Sequence, residues 1–516
     1  MSEAARVLVI GAGIGGLAAA LRLAARGWSV TVLERHGWAG GKMRSLPSPA
    51  GPVAAGPTVL TMRGVLDALF ADAGARMGDH LALHPEPILA RHLWPDGTAL
   101  DLLPDPEATA RAVREALGAR AERGQRAQAA AARRLFEAFE APMMRAAEPS
   151  GPRLAAAVAR RPRLARDMAP GLTLARALAR RVGDPKLCQL HGRYATYVGA
   201  SPFEAPALLG LVSHAEATGV WRVEGGLARL AEAVAALSRE RGAEIRLGAA
   251  VERLLVESGR CAGVVLSDGE RLRADAVLHA GDPRALASGL LGEAARAALP
   301  PLGRPSLSAR VWSFAARVSG LPLAHHTVLF SGDDRAEWAA LAAGRAPDDP
   351  TLYLCAQDRA GDRAPPAGPE RLQIILNAPP LEGIPDPEED RRCHETMLRT
   401  LRRRGLRLDP EPGPEAMTAP SDFARLFPGS LGALYGEAPV GMTSALRRPR
   451  ARTRLPGLFL AGGGAHPGAG VPMAALSGRH AAEAIMRDRA STSPSHPRAT
   501  AGGTSTRWRM GRAGGA

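Results

Sequence analysis

VLVIGAGIGGLAAA, from Val7 to Ala20, is the stretch of sequence that decides the fold. It begins with apolar residues typical of a buried β-strand, turns through Gly11, Gly13 and Gly16, and continues as an Ala- and Leu-rich helix. Gly11 permits the tight turn, Gly13 lets the backbone approach a pyrophosphate, and Gly16 lets the helix lie close to the strand. The helix N-terminus adds free N–H groups and the positive end of its dipole, so the stretch predicts a phosphate site.

A second strand and an acid follow this turn. Ser29–Leu33 is predicted to be a strand that ends at Glu34, an acid 18 residues past Gly16. A carboxylate at that position accepts a hydrogen bond from an adenosine ribose hydroxyl, and it disfavours NADP, whose 2′-phosphate prefers a basic partner. The pattern therefore predicts a dinucleotide site, and it leaves the choice between NAD and FAD open.

A glycine-rich stretch near the end of the chain favours FAD. Leu458–Ala461 is predicted to be a buried strand that runs into Gly462–Pro472, and a helix is predicted from Met473 to Arg487. A second helix N-terminus in this position would face flavin N1 and C2=O and would stabilise the anionic reduced flavin. A simple NAD dehydrogenase has no need of this second anion site.

Two shorter glycine turns lie between these stretches. Gly40–Arg44 brings the backbone close to a ligand and offers Arg44 to a pyrophosphate, although a surface turn with a solvated arginine would have the same spacing. Gly56 and Pro57 form a second, rigid turn.

Composition limits the class of protein. A chain of 516 residues with 46% hydrophobic content is long enough for two or three domains with large cores. The net charge of +15 comes almost entirely from arginine, and no stretch combines the basic and aromatic residues of a nucleic-acid site, so we expect no nucleic-acid partner. The four cysteines are widely separated and lack zinc spacing, so reduced thiols in a cytoplasmic protein and no metal site are predicted.

The chain shows no targeting or spanning segment in its sequence pattern. Its N-terminus leads directly into the first strand without the basic region of a signal peptide, and no apolar run reaches the roughly 18–20 residues of a spanning helix. Residues 143–190 contain basic, Ala-rich helical patterns, which are typical of a solvated helix face and also of a helix that lies on a membrane surface.

The nucleotide-binding pattern is interrupted twice, which predicts an α/β fold with an α+β insert. The insert contains a predicted hairpin, Ile88–Trp94 with Ala99–Leu103, and a predicted helix over 107–141. We predict a Rossmann-like cofactor domain made of 1–75, 220–290 and 425–488, an interleaved substrate domain made of 76–219 and 291–424, and a disordered tail at 489–516.

Several motifs resemble the bacterial carotenoid (phytoene) desaturase family of FAD enzymes over about residues 5–490. They are Val9–Leu17, Gly40–Arg44, Tyr197–Pro202, Leu434–Gly436 and Gly462–Pro472. Within the family, Gly56–Arg63 and Leu89–Gly97 are most similar to the desaturases that act on hydroxyneurosporene-type 1-hydroxycarotenoids. The resemblance implies a flavin amine oxidase-like fold and an enzyme that introduces a C3–C4 double bond into an acyclic C40 carotenoid. It also implies oxygen or a quinone as electron acceptor and, because the substrate is insoluble, a peripheral position on the inner or photosynthetic membrane.

The resemblance also assigns cofactor contacts residue by residue. Around the adenosine and pyrophosphate it implies Gly11, Ala12, Gly13, Gly16, Glu34, Arg35, Gly41, Lys42, Arg44 and Val251. Near the isoalloxazine it implies Gly56, Pro57, Gly463, Gly464, Gly470, Val471, Pro472 and Met473.

No residue stands out as a catalytic base. His466 lies in the flavin segment, but His-Pro-Gly is also a common turn; Arg193 and Tyr197 are further candidates. The adjacent pair at His325 and His326 is predicted to be structural, because the sequence places no further metal ligand nearby. Alternative functions are phytoene desaturation or carotenoid oxidation, an amine oxidase, and a non-catalytic lipid carrier of the same fold.

Overall fold

The structure is a computed structural model, and it describes residues 5–360 and 365–492. The first part of the chain contains β1 (Arg6–Ile10), α1 (Ile14–Ala24), β2 (Ser29–Glu34), β3 (Ser45–Leu46), β4 (Val53–Ala54), α2 (Arg63–Ala71), β5 (Leu83–Pro85), β6 (Ala90–Leu93), β7 (Ala99–Leu102) and α3 (Pro106–Leu117). A helical insert follows with α4 (Ala119–Phe139), α5 (Gly151–Ala159), α6 (Pro162–Met168), α7 (Leu174–Arg181), α8 (Pro185–Gly192) and α9 (Val212–Ala217).

The second half returns to strands. It contains β8 (Trp221–Val223), α10 (Ala228–Glu240), β9 (Glu244–Leu247), β10 (Val251–Glu257), β11 (Arg260–Leu266), β12 (Arg271–Arg273), β13 (Ala276–His279), α11 (Pro283–Ala287) and α12 (Glu293–Arg296). The remaining elements are β14 (Ser308–Ser319), β15 (His326–Leu329), α13 (Asp334–Ala342), β16 (Leu352–Ala356), β17 (Glu370–Ala378), α14 (Pro387–Arg403), β18 (Arg407–Asp409), β19 (Met417–Thr418), α15 (Pro420–Leu426), α16 (Ser444–Arg447), β20 (Leu458–Leu460) and α17 (Val471–Thr492).

A five-stranded parallel sheet carries the predicted nucleotide-binding pattern. Its strand order is β20-β13-β1-β2-β9, so it assembles strands from three separate parts of the chain. The strands other than the edge strand β9 are apolar and largely buried, as expected for a parallel sheet with helices on its faces. Helix α1 is buried along its whole length and packs against both α10 and α17. The α/β fold with a Rossmann-like unit is therefore confirmed.

A second, mixed sheet forms the centre of the inserts. Its order is β18-β14-β17-β16-β15-β6-β7, with β19 also paired to β14. The predicted hairpin is present, because β6 and β7 pair antiparallel, and the parallel pair of β15 with β6 joins the two inserted parts of the chain. The domain boundaries themselves stay a prediction. The strand pair β5–β8 crosses the predicted boundary between residues 219 and 220.

Two sequence predictions about helices and one about the tail are wrong. The single helix over 107–141 is two helices, because Gly118 has a φ of +88° and separates α3 from α4. The final helix begins at Val471 and continues to Thr492, so residues 489–492 of the predicted tail are helical. Residues 493–516 of that tail lie outside the described residues.

Within the described residues, every helix is either too short or too polar to cross a lipid bilayer.

Candidate cofactor and substrate site

The turn between β1 and α1 has the geometry that its glycines predict. Gly11 has a φ of +101°, and its N–H donates to the Leu33 carbonyl at 2.8 Å. A Cβ on Gly16 would overlap the Gly11 carbonyl oxygen, whereas no atom lies within 4 Å of the place where a Gly13 Cβ would stand. Gly13 caps α1 without a side-chain hydrogen bond, so open space meets free N–H groups here. This is a cradle for an anion.

Glu34 lies at the end of β2 and is only 4% exposed. Its Oε2 accepts from the Ala12 N–H at 2.7 Å, and its Oε1 accepts from the His36 N–H at 2.9 Å. Each carboxylate oxygen can accept a further hydrogen bond, so the group can hold the turn and a ribose hydroxyl together. The neighbouring Arg35 is exposed.

Val251, the first residue of β10, lies near Glu34 because the segment just before β10 is hydrogen-bonded to it. The Ala249 N–H donates to the Glu34 carbonyl at 2.8 Å, two residues before the half-buried Val251. The residue expected at the adenine edge therefore lies close to the acid expected at the ribose.

The Gly40–Arg44 turn packs directly on the first glycine turn. The Gly40 N–H donates to the Ala12 carbonyl at 2.8 Å, and a Cβ on Gly41 would lie 3.2 Å from the Gly13 Cα. This contact decides against the reading of the segment as an unrelated surface turn.

Lys42 and Arg44 bring two half-buried cations to this turn. Lys42 Nζ donates to the Leu434 carbonyl at 2.6 Å, and Arg44 Nη2 donates to Thr418 Oγ1 at 2.9 Å. Burial lowers the pKa of both groups. Arg44 Nε is buried without a hydrogen-bond partner in the described structure, and neither cation forms an ion pair there. Both cations fit an anionic ligand.

The Gly56-Pro57 turn is held on the mixed sheet by two glutamines that sequence reasoning missed. Gln373 Nε2 donates to the carbonyls of Ala54 at 3.2 Å and Gly56 at 3.0 Å, and Gln357 Oε1 accepts from the Ala54 N–H at 2.9 Å. A Cβ on Gly56 would overlap the Lys42 carbonyl oxygen. The two glutamines are hundreds of positions from this turn, so no local signal could have identified them.

The second glycine-rich loop meets the first at the N-termini of α1 and α17. Gly470 has a φ of +102° and precedes the buried Val471, Pro472 and the half-buried Met473 in the first turn of α17. A Cβ on Gly15 would lie 2.8 Å from the Gly462 Cα. The two helix N-termini are thus in contact.

Two further contacts fix this loop. Arg448 is buried and donates from Nη1 to the Gly463 carbonyl at 3.0 Å. A Cβ on Gly464 would overlap Pro283, and one on Gly478 would overlap the Gly15 carbonyl oxygen. Sequence reasoning missed Arg448, Gly15 and Gly478, although the two glycines lie in helical, small-residue patterns that indicate close helix packing.

His466 has the contacts of a structural residue. It is 3% exposed, its Nε2 lies 2.8 Å from the Ala146 carbonyl oxygen, and its ring stacks on His480 with centroids 5.6 Å apart. Burial lowers its pKa to about 4, which keeps the imidazole neutral. A role for His466 as a base stays a hypothesis.

The other two catalytic candidates belong to a buried polar cluster. Tyr194 Oη donates to Glu216 Oε1 at 2.7 Å, Tyr197 Oη donates to Glu216 Oε2, and Arg193 Nη1 donates to Tyr197 Oη at 3.2 Å. The guanidinium of Arg193 lies 5.3 Å from the centroid of each tyrosine ring. Sequence reasoning missed Glu216, the acid that joins these residues.

The premise that no further metal ligand lies near His325 and His326 is wrong. Cys355 pairs across the sheet with His326, and the ligand atoms of all three lie within 4.8 Å of one another. His325 Nδ1 is 2.9 Å from the Arg359 carbonyl oxygen, and His326 Nδ1 is 2.6 Å from Tyr353 Oη. The absence of a metal site stays a prediction.

Comparison with known proteins identifies the family. Residues 14–486 match the model of the flavin containing amine oxidoreductases. The chain belongs to this family. The chain is 52% identical over 491 residues to hydroxyneurosporene desaturase of Cereibacter sphaeroides, covering 95% of this chain and 99% of that protein. It is 47% identical over 494 residues to hydroxyneurosporene desaturase of Rhodobacter capsulatus, covering 94% and 98%. The structure of putrescine oxidase bound to putrescine has a similar fold, with a TM-score of 0.58, 16% identity and coverage of 94% and 99%.

As a member of the flavin amine oxidoreductases, the protein is an oxidoreductase whose cofactor is FAD. The residues present fit this cofactor. The open space at Gly13 leaves room for the pyrophosphate, and the buried carboxylate of Glu34 can accept from a ribose hydroxyl. The unpartnered Nε of Arg44 adds positive charge. The second helix N-terminus at Val471 meets the same site.

Proposed function

We propose that the chain is an FAD-dependent carotenoid desaturase that introduces a C3–C4 double bond into an acyclic 1-hydroxycarotenoid. The observation that carries this proposal is its similarity, over nearly the full length of both chains, to enzymes named hydroxyneurosporene desaturase. The buried glycine cradle, with its acid and two cations, supports the cofactor side of the proposal.

The reaction removes two hydrogens from adjacent carbons, and FAD, when bound, supplies the hydride acceptor at N5. The chain's own residues bind the cofactor and orient the substrate against it. We propose that the Gly11–Gly16 turn, Lys42 and Arg44 hold the pyrophosphate, that Glu34 holds the ribose, and that Val251 borders the adenine. A proton leaves the neighbouring carbon, and we assign no residue to it.

The isoalloxazine end is proposed to lie between two segments. One is Gly56-Pro57, which Gln357 and Gln373 fix against the mixed sheet. The other runs from Gly463 to Met473, where the positive end of the α17 dipole would stabilise negative charge on the reduced cofactor. An apolar channel would exclude water and align C3–C4 with the cofactor.

We propose a membrane surface as a further partner, with oxygen or a quinone as the electron acceptor. Helix α5 has no buried residue, and arginines at 153, 160, 161 and 163 are exposed along it and at the start of α6. A basic, apolar helix surface of this kind favours an anionic bilayer, where the insoluble substrate resides. This supports a peripheral cytoplasmic location on the inner or photosynthetic membrane.

The test is a visible spectrum recorded over time. FAD-loaded protein is mixed with 1-hydroxyneurosporene in liposomes under air, and each added conjugated double bond shifts the polyene absorption to longer wavelength. We expect one red shift, and mass fragmentation then places the new bond at C3–C4. Flavin binding with activity on phytoene instead would replace the substrate, and incorporation of oxygen would indicate carotenoid oxidation. If the protein does not bind flavin and does not convert any carotenoid, the lipid-carrier alternative would be favoured.

A further inference from the structure

One face of the mixed sheet carries a row of polar side chains. His326 pairs with Cys355 and Cys355 pairs with Gln373 across β15, β16 and β17, so the three side chains share one face. Tyr353 lies on the same face, two residues before Cys355. Gln373 is accounted for, because it holds the cofactor segment at Ala54–Gly56. The other polar residues need a reason of their own.

Thr58, Tyr353 and His326 form one chain of hydrogen bonds. Thr58 Oγ1 and Tyr353 Oη are 2.6 Å apart, and Tyr353 Oη and His326 Nδ1 are 2.6 Å apart. The phenol has a single proton, so the bonds run in one direction or the other. If Tyr353 donates to His326, then Thr58 donates to Tyr353 and an Nε2–H is left without an acceptor. If His326 donates to Tyr353, then the Thr58 proton and the Nε2 lone pair are left free.

An open end of this chain is visible in the structure. His326 is 1% exposed, and its Nε2 is buried with no hydrogen-bond partner among the described residues. A buried polar group of this kind is destabilising unless a partner satisfies it. At the other end, Thr58 is half-buried and lines a polar cavity of about 140 Å³. The other lining residues include Ala54, Gly226 and Cys355 and the charged side chains of Arg222, Glu224, Asp358 and Arg371. The polar chain therefore meets free space on the side of Thr58.

This cavity adjoins the proposed isoalloxazine segment. Gly41 packs on Gly13, and the carbonyl of Lys42, the residue after Gly41, packs on Gly56. Thr58 follows Gly56 by two residues. A continuous line of contacts thus leads from the phosphate turn to the polar chain. If the isoalloxazine lies against Gly56-Pro57, as proposed, Thr58 is the next residue along the chain and Tyr353 is its hydrogen-bond partner.

We propose that Thr58 and Tyr353, supported by His326, bind the C1 hydroxyl of the substrate and select 1-hydroxycarotenoids over carotenoids that lack it. This inference rests on the proposed function. Only three bonds of about 1.5 Å separate the hydroxyl oxygen from C3, so the oxygen lies within roughly 4 Å of the reacting bond. A hydroxyl-binding group must therefore border the cofactor, and Thr58 directly follows the segment proposed to face the isoalloxazine. A site built around a substrate hydroxyl rejects the analogue without it, because its buried polar groups then lack a partner.

The experiment compares 1-hydroxyneurosporene with 1,2-dihydroneurosporene, which has hydrogen in place of the hydroxyl. Both are supplied in liposomes to the FAD-loaded protein, and kcat/KM is measured for each. We expect the native protein to prefer the hydroxylated substrate by about 100-fold or more. Thr58→Val and Tyr353→Phe keep the shape of each side chain, and each should reduce this ratio at least about tenfold.

Tyr194→Phe is the matched control, because it removes the same hydroxyl from a buried tyrosine that bonds to Glu216; its substrate ratio should equal that of the native protein. Flavin content and absorption confirm that each variant is loaded, and if Tyr353→Phe fails to fold, Thr58→Val decides. A native protein without preference, or variants that keep the native ratio, would overturn the inference. A native protein inactive on both substrates would instead contradict the proposed function.

Discussion

Gly13 and Gly16 lie in one turn but are subject to different constraints. A Cβ on Gly16 would overlap the Gly11 carbonyl oxygen, whereas a Cβ on Gly13 would meet no protein atom within 4 Å. Gly13 also has an ordinary φ of −66°. We expect Gly16→Ala to destabilise the fold by about 1–3 kcal/mol. We expect Gly13→Ala to fold normally and to lose at least about tenfold in FAD affinity, because its methyl group occupies ligand space.

Urea unfolding of the apoprotein and FAD titration by fluorescence separate these two effects. Gly37→Ala is the control, since a Cβ there also meets open space and Gly37 is exposed. Its stability and affinity should match those of the native protein. A Gly13→Ala protein with native affinity would place the pyrophosphate elsewhere.

Glu34 is a second residue whose two roles can be tested. Its two oxygens accept from the Ala12 and His36 N–H groups, so Glu34→Gln leaves one N–H facing an amide NH₂. We expect a loss of about 1–3 kcal/mol in stability and weaker FAD binding. Calorimetric unfolding with and without FAD measures both. A stability loss with unchanged FAD affinity would contradict the ribose role.

At the scale of elements, the cofactor segment depends on strands that are remote in sequence. Gln373 is fully buried on β17 and donates to the carbonyls of Ala54 and Gly56. We expect Gln373→Leu to leave both acceptors without this donor, to cost about 1–3 kcal/mol and to change the flavin absorption band. Gln128→Leu is a matched control, because Gln128 is equally buried but contacts Gly210 and Arg181 in the helical insert. The Gln128→Leu variant should have a lower free energy of unfolding and an unchanged flavin spectrum.

Such contacts mark the limit of what the sequence could predict. The strands, the two glycine turns and the hairpin at Pro95–Gly97 carry their own local signals, and these elements are present. Gln373 lies 317 positions from Gly56, and Cys355 comes beside His326 only through strand pairing. The helix break at Gly118 has no clear local signal, because its neighbours keep an apolar helical period. Residues 489–492 have the polar and small side chains of a tail but extend α17.

At the scale of the whole molecule, exposed arginines divide into two kinds. On α14, Arg391, Arg392 and Arg402 form ion pairs with nearby acids. Within the described structure, none of the arginines at 153, 160, 161 and 163 forms one. We expect the protein to bind vesicles that contain anionic lipid, and binding to weaken as salt rises.

Replacing those four arginines with serine should lower the vesicle partition coefficient by up to about 1000-fold, because each basic residue near the surface contributes about 1 kcal/mol. Sedimentation with the vesicles should fall accordingly. Serine at Arg391, Arg392, Arg399 and Arg402 is the control and should retain binding. Equal losses in both variants would indicate a diffuse effect of net charge rather than docking through α5 and α6.

Stability should also depend on pH through histidines buried throughout the molecule. His191, His325 and His466 are at most 7% exposed, and burial lowers the pKa of each to about 4. An unfolded histidine has a pKa near 6.5, so between about pH 6.5 and 4 the unfolded state binds more protons than the folded state. The free energy of unfolding therefore falls as pH decreases through this window, by at most about 3 kcal/mol per histidine, and this contribution is constant above and below it.

Urea unfolding of the FAD-saturated protein at a series of pH values measures the slope. His191→Gln removes one titrating group and keeps a polar partner for Gln125, which lies 2.8 Å from His191 Nε2. The variant should lose less stability than the native protein between pH 6.5 and 4, with a slope smaller by up to about 1.4 kcal/mol per pH unit. His80→Gln, at an exposed histidine, is measured as the control. Parallel profiles for His191→Gln and the native protein would mean that His191 gains a proton in the folded state without cost, which its buried position opposes.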